Sequence, residues 1–120
     1  MKNKLLESWE ETYKKGQLTL WIFLSLKDGK KYVDEIKLFI SKYSKNTISC
    51  EEQSLYRSLR KYVHLQIVNY KSRKGNKGPD RKYYYLTESG LELLHQFISR
   101  NINLFEDKKI KKLLNEKNVN

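Results

Sequence analysis

The sequence predicts a mainly helical α+β fold built around one small β-hairpin. Three observations predict it. Apolar residues recur at helical spacing through residues 3–14, 17–27, 31–43, 50–64 and 87–105. Between the last two of these stretches, residues 65–71 and 81–86 are rich in β-branched and aromatic residues and flank a loop holding Gly75, Asn76, Gly78 and Pro79, which reads as a hairpin. That loop and its return strand, Arg73 to Thr87, contain five Lys and Arg against a single acid, far more charge than a solvated turn requires.

The elements follow in order. Residues 3–14 carry Leu5, Leu6, Trp9 and Tyr13 on one helical face, and Gly16 loosens the chain after them. Residues 17–27 are apolar on nearly all sides, from Leu18 through Trp21 and Ile22 to Leu26. A helix of that kind is expected to be buried all round, against its own core and a second subunit. Asp28-Gly29 marks a turn, and Lys31 to Tyr43 shows an amphipathic stripe of Tyr32, Val33, Ile36, Phe39, Ile40 and Tyr43. After a polar connection, Ser44 to Ile48, the pair Ser49 and Glu52 reads as a capping box. The helix it opens runs from Cys50 to His64 with Leu55, Leu59, Tyr62 and Val63 inward. Strands at 65–71 and 81–86 enclose the loop 72–80. Thr87 then caps a long helix with Glu88 in its first turn. It carries Leu91, Leu94, Ile98, Ile102 and Phe105, of which Leu91, Ile98 and Phe105 are seven apart. Asp107 is a candidate cap for a short final helix with Ile110, Leu113 and Leu114, and Asn115 to Asn120 reads as a frayed polar tail.

Charge sets the class of partner. The chain carries 25 Lys and Arg against 14 Asp and Glu, a net +11, which predicts attraction to a polyanion. The excess is local, because residues 49–85 hold nine basic and three acidic groups. A basic face against nucleic acid fits this better than general solubility. The longest nearly apolar run, Leu18 to Leu26, is too short to cross a bilayer, which takes about 20 residues. No stretch pairs a basic face with a strong apolar one, so no membrane partner is expected. Cys50 is the single cysteine, which excludes an internal disulfide and fits a cytoplasmic location.

The order helix, helix, helix, strand, basic loop, strand, helix is that of a winged helix-turn-helix. The domain would span residues 1–86 with its N-terminal helix, and 87–120 would form a C-terminal dimerisation helix. In such a fold the 50–64 helix enters the DNA major groove. Its outward residues Gln53, Ser54, Arg57, Arg60 and Lys61 are the candidates to reach bases or phosphates, since Gln and Arg read adenine and guanine edges bidentately. A solvated helix face is the competing reading for such charge, and the matching charge on the hairpin tells against it. Arg73, Lys74, Lys77, Arg81 and Lys82 in the wing are expected to lie along phosphates or the minor groove.

At these residues the chain resembles a known family. Gly78-Pro79-Asp80-Arg81-Lys82-Tyr83-Tyr84-Tyr85-Leu86-Thr87-Glu88-Ser89-Gly90 is similar to the G-P-x-R-K-Y-Y-x-L-T-x-x-G pattern of PadR-type transcriptional regulators. Ser54-Leu55-Tyr56-Arg57-Ser58-Leu59-Arg60 resembles that family's L-Y-x-x-L signature. The likeness covers roughly residues 10–105. It implies a homodimeric winged-helix repressor of double-stranded DNA, with Ser54, Tyr56 and Arg57 contacting DNA and Arg81 and Lys82 assisting. It implies dimerisation through the C-terminal helix and the N-terminal helices, here Leu18, Trp21, Ile22, Leu91, Leu94, Ile98, Ile102 and Phe105. Some members of the family bind aromatic ligands near the dimer interface. Trp9, Trp21 and Phe97 are the candidates to line a site for a small aromatic effector, with core packing as their competing role.

Two departures from the pattern stand out. Gln66 occupies the place of a usual glycine after the 50–64 helix. A side chain held at positive φ costs on the order of 1 kcal/mol, so a different helix end is expected. Val63 and Leu65 are apolar where polar residues are usual, which suggests packing against the N-terminal helix. Metal and cofactor are not expected, because His64 and His95 lie 31 residues apart with no cysteine pair near either. Cys50, read in the first turn of its helix where the dipole lowers a thiol pKa, is a redox candidate against the plainer role of a small filler. No nucleophile elbow, phosphate loop or dinucleotide fingerprint is present, so the chain does not read as an enzyme. A non-specific architectural binder and a protein-interaction module remain the rival functions.

Overall fold

A computed structural model describes residues 3–75 and 77–117. Six α-helices and one hairpin follow in the order α1 (Lys4–Lys14), α2 (Gln17–Asp28), α3 (Val33–Tyr43), α4 (Glu52–His64), β1 (Val68–Arg73), β2 (Arg81–Leu86), α5 (Glu88–Asn101) and α6 (Lys108–Asn115), with a 3-10 turn at Asn103–Glu106 before α6. The chain is thus mainly helical with a two-stranded antiparallel wing, as the periodicities predict. The strands pair Val68 with Leu86 through to Arg73 with Arg81.

The core forms where α2, α3 and α4 meet the wing root and the first turns of α5. Ile22, Ile36, Ile40, Leu55 and Leu59 are fully buried there, with Val68, Tyr84 and Leu94 almost so. Truncating a residue such as Leu55 to alanine should cost about 2–5 kcal/mol, the loss of transfer energy plus a cavity. Only one side of α2 is buried, through Ile22, Phe23, Ser25 and Leu26, while Leu18, Leu20, Trp21 and Leu24 are half-buried. Ile22 and Leu94, expected at a subunit interface, instead lie inside the chain's own core at 0% and 1% exposure. They are not available to a partner.

Several boundaries differ from expectation, each for a local reason. The capping box expected at Ser49 and Glu52 does not form. The Ser44 hydroxyl accepts from Ile48 N–H at 3.2 Å and Ile48 itself is buried, which holds residues 44–48 in a turn, and the backbone is still extended at Glu51. Glu51 becomes the N-cap with no side-chain bond, and α4 starts at Glu52. A carboxylate does reach back at α3, where Glu35 Oε1 accepts from Tyr32 N–H at 3.1 Å.

Lys31 and Tyr32 are not part of α3. Lys31 forms a one-residue bridge to Tyr84, donating and accepting backbone bonds at 3.0 and 2.8 Å. Its ammonium turns back to cap α2, donating to the Ser25 carbonyl at 2.6 Å and to Asp28 at 2.8 Å.

Gln66 adopts the left-handed conformation, φ +61°, rather than forcing a different helix end. Ile67 N–H reaches the Tyr62 carbonyl at 2.9 Å and Gln66 N–H the Val63 carbonyl at 3.0 Å. These two bonds are the reciprocal pair of a Schellman motif, and they offset the strain at Gln66. Residues 65–67 are consumed in this ending, so β1 starts at Val68. Leu65 remains exposed, and α1 packs on α2 rather than on α4.

The joint to α5 is built on the same carbonyls. The Thr87 hydroxyl lies 2.7 Å from the Gln66 carbonyl and 3.0 Å from that of Ile67, donating between them, and accepts from Gly90 N–H at 3.1 Å. A Cβ at Gly90 would sit 2.0 Å from the Ile67 carbonyl oxygen, so only glycine lets α5 approach this closely.

The heptad reading of α5 fails past its end. Asn101 turns its amide to the Phe97 carbonyl at 3.0 Å, a bond that competes with helix propagation. Ile102 is the C-cap and Phe105 falls in the 3-10 turn, so Leu91, Ile98 and Phe105 do not form one continuous stripe. Asp107 caps α6 as expected, accepting from Lys109 and Ile110 N–H. Asn115 closes α6, and residues 118–120 of the expected frayed tail lie outside the described residues.

Candidate nucleic-acid interface

The charge of residues 49–85 is gathered onto one side of the molecule by the packing of α4 against β1. A cleft of about 990 Å³ opens between α4, the N-terminal end of α3 and the wing. Tyr56 and Arg60 line it from α4 beside Glu52, and Arg73, Lys74, Lys77, Arg81 and Lys82 line it from the wing beside Asp80, with Asp34 of α3 the third acid against six Lys and Arg. These seven expected residues therefore share one surface.

Gln53, Ser54, Arg57 and Lys61 lie outside the lining. Helical spacing puts Gln53 and Arg57 on the ridge opposite the buried Leu55 and Leu59, where they project farthest from the body. All four belong to α4, and all but the half-buried Ser54 are exposed. The α4 surface thus has two parts, an outward ridge and a flank facing the wing.

Beneath the flank, Tyr84 is buried in the core and its phenol is pushed up by burial. The neighbouring Tyr56 and Tyr70 add to that rise and Arg60 opposes it. Tyr84 also stacks near Tyr70, with ring centroids 5.7 Å apart.

Along the wing the cations rest on rings. Arg81 lies 4.4 Å above Tyr32, Arg73 4.9 Å above Tyr83, and Lys82 4.5 Å above Tyr70. Tyr32 and Tyr83 meet edge to face at 5.4 Å. Sequence reasoning read Tyr32 as a helix position and missed it as part of this surface. The strands themselves offered little signal: only Lys71 faces a ring, Tyr83, directly in the register, and nothing in them points to Tyr32.

At the wing tip a Cβ on Gly75 would lie 2.6 Å from the Pro79 carbonyl oxygen, whereas Gly78 faces open space. Gly75 is needed for the loop to close on itself. Asn76, part of the expected turn, lies outside the described residues.

The sequence profile of the transcriptional regulator PadR-like family matches residues 22–96, from the middle of α2 through most of α5. The chain belongs to the PadR-like family of transcriptional regulators. Its solved relatives share the fold. A PadR-like transcription factor from Bacteroides fragilis is 24% identical, with a TM-score of 0.67 over 88% of this chain and 98% of that one. A PadR family regulator from Eggerthella lenta is 22% identical, with a TM-score of 0.71 over 95% of each chain. Bacillus subtilis PadR, solved in complex with operator DNA, is 21% identical, with a TM-score of 0.62 over 68% of this chain and 46% of that one. No curated protein matches. Membership places the chain among transcriptional regulators rather than enzymes.

The PadR-like motifs now have physical reasons. Thr87 and Gly90 form the α5 joint, and Arg81 and Tyr83 belong to the run of cations held on rings along the wing.

The remaining expected sites are rearranged. Trp9 is 68% exposed on α1, so core packing is not its role, and Trp21 is half-buried. Phe97 lines a small apolar pocket of about 150 Å³ with Gly16, Thr19, Leu20, Phe23, Leu93 and Leu94, and neither tryptophan reaches it. Cys50 precedes α4 instead of sitting in its first turn. Burial pushes its thiol up, with Lys37 partly opposing, which is the reverse of an activated cysteine. His95 pairs with Lys27, Nε2 to Nζ at 3.2 Å. Among the described residues no helix is long and apolar enough to cross a membrane.

Proposed function

We propose that this PadR-like chain is a sequence-specific, double-stranded-DNA-binding repressor that acts as a homodimer in the cytoplasm. The single observation that carries the reading is the cleft in which Tyr56 and Arg60 of α4 face Arg73, Lys74, Lys77, Arg81 and Lys82 of the wing. A helix flanked by a cationic hairpin suits a duplex, with the helix in the major groove and the hairpin on phosphates. Gln53 and Arg57, on the outward ridge, are the base-reading candidates, with Ser54 and Lys61 beside them.

A division of labour follows. Residues 1–86 read DNA and residues 87–120 pair the copies, with Leu18, Trp21, Leu91, Ile98, Ile102 and Phe105 at the contact. Support for pairing comes from α1, α5 and α6, whose apolar side chains include Leu5, Trp9, Tyr13, Phe97, Leu113 and Leu114, all between 45% and 77% exposed. A monomer rarely exposes contiguous apolar patches larger than a few hundred Å². The pocket at Phe97 is close to the roughly 150 Å³ of engineered cavities that accept benzene, and it is the place for a small aromatic effector. Repression follows the habit of the family that the sequence resembles.

Competition on a labelled duplex from upstream of the protein's own gene tests the reading. Unlabelled copies of that duplex should displace the label at least about 10³-fold more effectively than unrelated DNA. Equal displacement would replace specific regulation with architectural binding.

A further inference from the structure

Arg73 and Arg81 are direct partners in the register, the last pair before the wing tip. Like charges placed opposite one another across an antiparallel pair destabilise it. Among the described residues no carboxylate forms an ion pair with either. The two guanidiniums instead rest on separate rings, Arg81 on Tyr32 and Arg73 on Tyr83, and those rings meet edge to face. The result is a chain of four groups, Arg81, Tyr32, Tyr83 and Arg73, running across the wing.

A guanidinium stacked by its face keeps the N–H donors on its edge free, and that edge matches a phosphate bidentately. Both arginines and both rings line the same open cleft. The geometry points to a two-arginine clamp for the nucleic-acid backbone, in which Tyr32 and Tyr83 are positioning residues that hold the guanidiniums apart and pre-ordered. Tyr32 enters from the segment before α3 and not from the wing itself. The wing is thereby fixed in angle to the helix-turn-helix, because the ring that orients Arg81 is anchored beside the Lys31–Tyr84 bridge.

This inference rests on the DNA-binding reading above and is tested separately from it. The probe is a short random-sequence duplex at low salt, since phosphate contacts do not depend on sequence. Arg73→Ala and Arg81→Ala should each reduce the slope of log affinity against log salt by about 0.9. Tyr32→Leu should weaken binding about two- to fivefold while leaving that slope unchanged, and Tyr32→Phe, which keeps the ring, should bind like wild type. In an Arg81→Ala background Tyr32→Leu should have no further effect, a coupling that a merely structural role would not produce. Tyr83→Leu and Arg73→Ala form the parallel cycle. If Tyr32→Leu costs the same with and without Arg81, or nothing in either, the clamp is overturned while DNA binding stands. Wild-type protein that ignores every duplex overturns both.

Discussion

Along the wing, Tyr32, Tyr70 and Tyr83 each hold a cation on one face, whereas along α1, α5 and α6 the apolar Trp9, Phe97, Leu113 and Leu114 are exposed. Both regions are surface, yet the first is internally organised and the second is not. Rings along the wing hold charges in place, so an anionic ligand of the proposed kind would meet them already arranged and lose less entropy on binding. Many apolar side chains on the outer helices are left uncovered by their own chain, as the proposed pairing of two copies would require. Under the proposed function the contrast would separate a surface for a polyanion from one for a second copy of the chain.

The joint between the two regions should give the largest effect. Gly90→Ala puts a methyl against the Ile67 carbonyl and should lower stability by about 3 kcal/mol, seen as a large fall in melting temperature. A wild-type melt would show that α5 can shift freely and that the regions are less tightly joined than the Thr87 bonds imply.

Next comes the apolar side. Leu91→Lys combined with Ile102→Lys should cost at least about 2 kcal/mol of self-association, read by sedimentation as a shift to monomer. Unchanged association would move the interface onto α1 and α6. On the DNA side, Arg57→Ala should cost about 1–3 kcal/mol on the cognate site and less on unrelated duplex. Equal loss on both would make Arg57 a phosphate contact.

The smallest effect lies at the α4 ending. Gln66→Gly removes the left-handed strain and should stabilise the chain by about 1 kcal/mol in chemical denaturation, without altering DNA affinity. A destabilised variant would mean that the Gln66 side chain contributes more than its backbone strain removes.

Much of this was legible in the residues because it is local. The return strand Arg81–Leu86, the Thr87 cap and the Asp107 cap depend on a few neighbouring side chains, and they fall where those side chains predict. The same holds for the cations at 73–82, whose exposure on a hairpin follows from turn chemistry. Part of what was not legible depends on partners far along the chain, and part on single local bonds. The Lys31–Tyr84 bridge is a contact between residues on either side of the helix-turn-helix, and no pattern within 31–43 announces it. Ile22 and Leu94 share one periodicity with surface neighbours, and only packing decides that they meet inside. The α4 start and the α5 end were misplaced because single bonds, Ser44 to Ile48 and Asn101 to Phe97, override helix propensity. Tyr32 joined the candidate site only once Arg81 was seen above its ring.

Hydroxyl-radical footprinting of the protein on DNA from upstream of its own gene tests the central claim most directly. Two protected patches on one face of the duplex, centred about one helical turn apart and related by symmetry, are expected of a paired α4-and-wing grip. A single uninterrupted tract of protection, or none at a concentration that saturates a gel shift, would contradict it.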